Sequence, residues 1–250
     1  MKRLIVALVM SATMSAQAAE LGPVIQAFGC SFKDGQGFEQ LQAAVGVWNE
    51  KLDEMIGDEP SQFFAAVFRP LRGGEPGVDF YMIGASPNLN VMAGGIYNYL
   101  TSEAGQAGQA ALDGVAQCSS SILLSERMMS EAPPPTEDDR TAAIEGYACT
   151  LNPGTSERDV SRAEEAWLDA ARAIDAKVDV IKWTPLFANT PVDMWYLVVN
   201  DGIREWAQFR TAFSTSEAGA AADARFQEIT NCESTVMGAR AVRGNPPTPE

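Results

Sequence analysis

Four cysteines and no histidine set the chemical limits of this 250-residue chain. The missing imidazole removes the commonest general base, the commonest metal ligand and the usual haem ligand together. Cys30, Cys118, Cys149 and Cys232 form no C-x-x-C pair, so structural disulfides fit them better than a thiol redox site. Four cysteines alone leave three pairings open.

The charged candidates each carry a plainer reading. Glu103 and Glu217 could act as general bases if a pocket buried them. Both lie in the pentapeptide Thr-Ser-Glu-Ala-Gly, where Thr101 or Ser102, and Thr215 or Ser216, would cap a helix whose dipole favours the glutamate. Arg69 precedes Pro70 at a strand end and could receive a carboxylate, but Thr184 holds that place further on, and a surface arginine is simpler. Glu131, Glu137, Asp138 and Asp139 lack calcium-loop spacing and read as solvated linker, so no metal site is expected. Gly94-Gly95 and the run from Gly105 to Gln109 lack the context of a phosphate loop and suit close packing.

The aromatic set is Trp183, Trp195 and Tyr196, with Phe68, Phe80 and Tyr81 at the aligned places earlier in the chain. These residues either line an apolar cavity with a phenol at its rim or fill a core and sheet interface. The ligand-binding candidates are therefore Trp183, Trp195, Tyr196, Phe68, Tyr81 and Glu217, and no catalytic residue is assigned. Trp48 and Trp167 read as core residues on amphipathic helices.

The elements that must position these residues occur twice. Phe28-Gly-Cys-Ser-Phe-Lys-Asp-Gly35 aligns with Tyr147-Ala-Cys-Thr-Leu-Asn-Pro-Gly154, and the same offset carries Trp48 to Trp167. Phe80-Tyr81-Met82-Ile83 aligns with Trp195-Tyr196-Leu197-Val198. Thr101-Ser-Glu-Ala-Gly105 recurs unchanged as Thr215-Ser-Glu-Ala-Gly219, and Cys118 meets Cys232. Ordered matches of this kind point to a tandem duplication.

The domain plan is a first module over 19–128, an acidic, Pro-rich linker over 129–143, a second module over 144–242 and a frayed tail over 243–250. Val24 to Phe32 reads as a strand. Phe38, Leu41, Val45, Trp48, Leu52 and Met55 then mark one face of a helix. Phe63 to Phe68 and Val78 to Ile83 read as two strands around a Gly/Pro-rich turn. A helical region from about Leu89 to Ala116 follows, broken near Thr101, and Ser119 to Leu124 closes the module. The second half repeats this β-α-β-β-α-β order, the ferredoxin-like plan. In that sheet the last strand lies antiparallel beside the first. Cys30 should therefore pair with Cys118, and Cys149 with Cys232.

Lys2, Arg3, the apolar run Leu4 to Met10 and Ala16-Gln17-Ala18 read as a secretory signal peptide over 1–18, which points to a periplasmic or secreted protein. No later stretch approaches the roughly 20 apolar residues of a membrane span. The net charge of −15 disfavours nucleic acid and anionic membranes as partners.

These features resemble the dimeric α/β-barrel superfamily of ferredoxin-like domains, including antibiotic-biosynthesis-monooxygenase-like and stress-responsive barrel proteins. The strand order and the Thr-Ser-Glu-Ala-Gly segments carry the resemblance. It implies an α+β fold of two modules packed sheet to sheet as an intramolecular pseudo-dimer, in a monomer. It also implies apolar pockets between sheet and helices. Some members run cofactor-free oxidation, haem chemistry or isomerisation; here Gly108 and Ala222 stand near the place where members often carry a histidine. The expected role is a small apolar or aromatic ligand, or a protein partner, bound with no built-in cofactor. A cofactor-independent monooxygenase-like enzyme on an aromatic substrate and a structural scaffold are the alternatives.

Overall fold

The computed structural model describes residues 22–57, 63–132 and 141–244. The expected signal peptide, the Pro-rich centre of the linker and residues 245–250 of the tail lie outside the described residues.

The first half runs β1 (Val24–Phe32), α1 (Phe38–Ile56), β2 (Phe64–Arg72), β3 (Phe80–Ser86), α2 (Leu89–Thr101), α3 (Glu103–Asp113) and β4 (Ala116–Ser130). The second half repeats the order as β5 (Thr141–Leu151), α4 (Glu157–Ala173), β6 (Asp179–Phe187), β7 (Met194–Asn200), α5 (Ile203–Thr215), α6 (Glu217–Ile229) and β8 (Thr230–Arg243). The eight strands close into one barrel in the order β1-β3-β2-β8-β5-β7-β6-β4. All six helices lie outside it, so the fold is α+β.

The closure gives the expected α/β barrel and shows how its two sheets meet, along shared strand edges. β4 pairs with β1 through Leu124 and with β6 from Ile122 to Ser130. β8 likewise pairs with β5 from Thr230 and with β2 from Val236 to Arg243. Each long strand thus serves both halves, and ladder hydrogen bonds join them at the seams. For the same reason Met129 and Ser130, and Thr141 to Ala143, are strand and not the ends of the expected 129–143 linker. Arg243, expected in the tail, ends β8 opposite Ala65.

Strand alternation divides the side chains between two environments. Those pointing inward pack one cluster from both halves, including Ile25, Phe68, Ile83, Leu123, Ile144, Trp183, Leu197 and Met237. Eight strands leave an interior just wide enough for side chains to fill. Those pointing outward meet the helices. α1 buries Leu41, Val45, Trp48 and Leu52, the periodic face read from the sequence. α4 begins with a capping box, in which Ser156 and Asp159 satisfy each other's backbone N–H groups.

The repeated pentapeptide has a structural purpose in both halves. Ser102 and Ser216 accept hydrogen bonds from the Gly105 and Gly219 amides and cap α3 and α6. A Cβ on Gly105 would lie 2.0 Å from the Tyr99 carbonyl oxygen, and on Gly219 2.1 Å from that of Phe213. Only glycine permits so sharp a break between consecutive helices.

Candidate functional site

Cys30 is bonded to Cys118 and Cys149 to Cys232, each pair in direct register across neighbouring strands. The aromatic candidates separate by face. Trp183 and Trp195 are register partners and point into the barrel, where Phe68 and Tyr81 join them as packing. Trp183 donates its indole N–H to Ser125 Oγ at 3.2 Å. Tyr196, one residue from Trp195, points outward. Glu217 is exposed at the start of α6, apart from these residues.

The register also corrects the alignment of the third strands. Cys30 pairs with Phe80 and Cys149 with Met194, so Tyr81 corresponds to Trp195 and Met82 to Tyr196. A shift of one residue exchanges the faces of a strand. Tyr81 and Tyr196 therefore do not share a place.

Outside the barrel in the second half, a cavity of about 450 Å³ opens between the sheet and α4, α5 and α6. Its floor includes Tyr147, Tyr196 and the Cys149–Cys232 bridge, and Trp167, Arg210, Asp223 and Phe226 lie on the helical side. Trp167 is accordingly half-buried at a cavity wall, while Trp48 is the core residue expected. The indole N–H of Trp167 donates to Asp223 Oδ1 at 3.3 Å.

Two polar clusters border this space. In one, the Tyr196 hydroxyl and the Lys182 ammonium both donate to Glu164 Oε1, each at 2.6 Å. In the other, Arg210 lies with Nε 3.4 Å from Glu145 Oε2 and Nη2 3.6 Å from Asp223 Oδ2. Trp206 donates to the same Glu145 oxygen at 3.0 Å. Glu145 is only 6% exposed, and these partners compensate its burial. Burial, reinforced by Glu145, pushes the Tyr147 phenol well above its ordinary value. Burial and the hydrogen bond to Glu164 do the same to Tyr196. Both phenols thus keep their protons, and Tyr196 donates its own to Glu164.

The first half keeps one polar link at the matching place, where the Trp48 indole donates to the Tyr99 hydroxyl beside Gln109, but not the charged clusters. By register and repeat, Tyr147 corresponds to Phe28, Tyr196 to Met82, Lys182 to Val67, Glu164 to Val45 and Arg210 to Ile96. Phe28, Val45, Val67 and Met82 there pack with Phe80 and Leu41 into a cluster. Glu164, Lys182, Tyr147, Arg210 and Asp223 were not singled out from the sequence. For Glu164, Lys182, Tyr147 and Arg210 the available signal was a polar or hydroxyl-bearing residue in one half and an apolar one at the same place in the other; Asp223 falls on the polar Gln109 and gave no such signal.

The cavity wall does not fit a haem. It offers no imidazole, its cysteines are bonded to each other, burial holds the proton on Tyr147, and the Tyr196 phenol is engaged with Glu164. No cluster of three or more metal-ligating side chains occurs among the described residues. No helix among them is long and apolar enough to cross a membrane.

No protein family's profile matches the chain, and no curated protein does. Solved structures do share its fold. A candidate monooxygenase from Fusobacterium nucleatum matches with a TM-score of 0.59 at 10% identity, over 89% of this chain and 93% of the other. A candidate chlorite dismutase matches with a TM-score of 0.55 at 14% identity, over 89% and 95%. An anthrone oxidase-like protein matches with a TM-score of 0.53 at 9% identity, over 90% and 94%. At such identities the likeness concerns the fold alone.

Proposed function

We propose that this barrel, which has the architecture of those structures, is an exported protein that binds a small, largely apolar molecule in its second-half cavity without a built-in cofactor. The observation that carries this reading is the one-sided polarity. Two halves with the same element order differ where Tyr147, Glu164, Lys182, Tyr196 and Arg210 stand, and there, among the described residues, a cavity of about 450 Å³ borders two mostly buried polar clusters. A purely structural second half would have no use for them, since an apolar replacement of a buried ion pair is often neutral or stabilising. The first half then acts as the partner that completes the barrel, as in a pseudo-dimer produced by tandem duplication. Export accords with the signal-like residues 1–18 and with two disulfides, which suit an oxidising compartment.

Native mass spectrometry of the protein purified from its own compartment tests the reading. A co-purifying small molecule, lost from Tyr196→Phe combined with the cavity-filling Gln227→Trp, supports it. A bare chain, with no molecule recovered by denaturing extraction, overturns it.

A second reading is a cofactor-independent oxygenase acting on an aromatic substrate. The Tyr196–Glu164 hydrogen bond favours it, because a carboxylate beside a phenol could take a proton from an acidic substrate. The names of the similar structures give it its direction. Oxygen consumption with phenolic substrates, abolished by Glu164→Gln, would distinguish it from simple binding.

A further inference from the structure

The charges around the cavity do not cancel. Glu145, Glu164 and Asp223 stand against Lys182 and Arg210, which leaves one negative charge in excess. Both cations are already committed. Lys182 is bound to Glu164, and Arg210 lies between Glu145 and Asp223. The Nη1 nitrogen of Arg210 makes no hydrogen bond and is sealed from solvent.

Glu164 keeps capacity. It accepts both of its bonds at Oε1, and its Oε2 accepts none among the described residues. Asp223 is engaged on both oxygens, Oδ1 by the Trp167 indole and Oδ2 by the Arg210 guanidinium. Beside the Glu164 acceptor stand the rings of Tyr147, Trp167, Tyr196 and Phe226. Aromatic faces attract organic cations, and carboxylates take the short, strong bonds that an ammonium donates. The chain's net charge of −15 also raises the local concentration of cations.

We infer that the cavity selects an organic cation: a protonated amine on a compact apolar or aromatic body. The ammonium donates to Glu164 Oε2, and the body lies against the aromatic wall. This rests on the reading of the cavity as a ligand site and adds the charge of the ligand. A carboxylate of the same shape is disfavoured, because both cations in the wall are already paired with carboxylates. A neutral alcohol gains a hydrogen bond but not the charge.

Isothermal titration of the full mature chain at neutral pH and low salt, with phenethylamine, 2-phenylethanol and 3-phenylpropionate, tests the inference. The amine is expected to bind at least tenfold more tightly than the alcohol, and the carboxylate more weakly than either. Glu164→Gln should weaken the amine about tenfold and change the alcohol little. Should that variant fail to fold, Lys182→Met reads the same contact with opposite sign: it frees Oε1 and raises amine affinity. Equal affinities for amine and alcohol, or tighter binding of the carboxylate, overturn the inference and leave the site standing. If no probe binds while a molecule still co-purifies, the cation preference alone fails. If no probe binds and none co-purifies, both readings fail.

Discussion

Tyr147 and Tyr196 are cross-strand partners between β5 and β7, and the pair that holds their places between β1 and β3 is Phe28 and Met82. Two hydroxyl-bearing side chains thus replace two apolar ones on matching frames. Each phenol then meets a different carboxylate, Glu145 for Tyr147 and Glu164 for Tyr196. The second half has exchanged packing for a polar wall, and the following expectations measure what that exchange costs.

The Glu164–Lys182 pair should be expendable for folding only as a pair. Glu164→Val alone strands a mostly buried ammonium, and Lys182→Val alone leaves the carboxylate with one partner. Each single change should cost about 2–4 kcal/mol in urea unfolding. The double variant, which restores the residue types of Val45 and Val67, should lie within about 1 kcal/mol of the parent. Additive losses in the cycle would show that the pair contributes net stability.

Alkaline pH should unfold the protein through its tyrosines. Burial holds the protons of Tyr147 and Tyr196, whereas the unfolded chain releases them near the ordinary value of 10.0. The folded state therefore binds more protons above that pH. Stability is fully present below about pH 10 and falls as pH rises, by about 1.4 kcal/mol per unit for each phenol. Two of the five tyrosines should show no tyrosinate absorbance until the fold is lost. Replacing both with phenylalanine should flatten the decline; an unchanged slope would contradict the assignment.

Glycines in the second helical region should divide sharply. Gly105→Ala and Gly219→Ala place a methyl against a backbone carbonyl that cannot move away, and each should cost about 3 kcal/mol or more. Gly94→Ala in α2 meets nothing within 4 Å and should stabilise by about 0.5–1 kcal/mol. Melting temperatures of the three variants are sufficient to check this.

The two disulfides should be alike in stability and different in function. They span sequence separations of 88 and 83, and the chain-entropy estimate gives about 4–5 kcal/mol for each. Only the Cys149–Cys232 bridge lines the cavity. Its removal should weaken ligand binding, while removal of Cys30–Cys118 should leave affinity unchanged in chains that remain folded.

Much of the fold was legible because its signals are local. The α1 face, the first strand, the break at each Thr-Ser-Glu-Ala-Gly and the cysteine partners all follow from periodicity and strand order. The seams were not legible. Nothing in Ser125-Glu-Arg-Met-Met-Ser130 announces that β4 continues, because its partner β6 belongs to the other half. The polar wall was equally hidden, since Glu145, Glu164, Lys182, Arg210 and Asp223 come from five different elements. The aromatic residues were visible but their sides were not. One residue of slip in β7 was enough to place Tyr196 with Tyr81 rather than with Met82.

The seams at β2–β8 and β4–β6 have a consequence for how the molecule withstands other chains and proteases. Every strand among the described residues has a neighbour on both flanks, so the barrel they form offers no free edge on which a stray chain could polymerise. Either half alone would expose two such edges at once. A protease that nicked the connection between β4 and β5 would sever the tether without parting the halves, which remain clasped along two ladders. The nicked protein would migrate as one particle until denaturant let the ladders go.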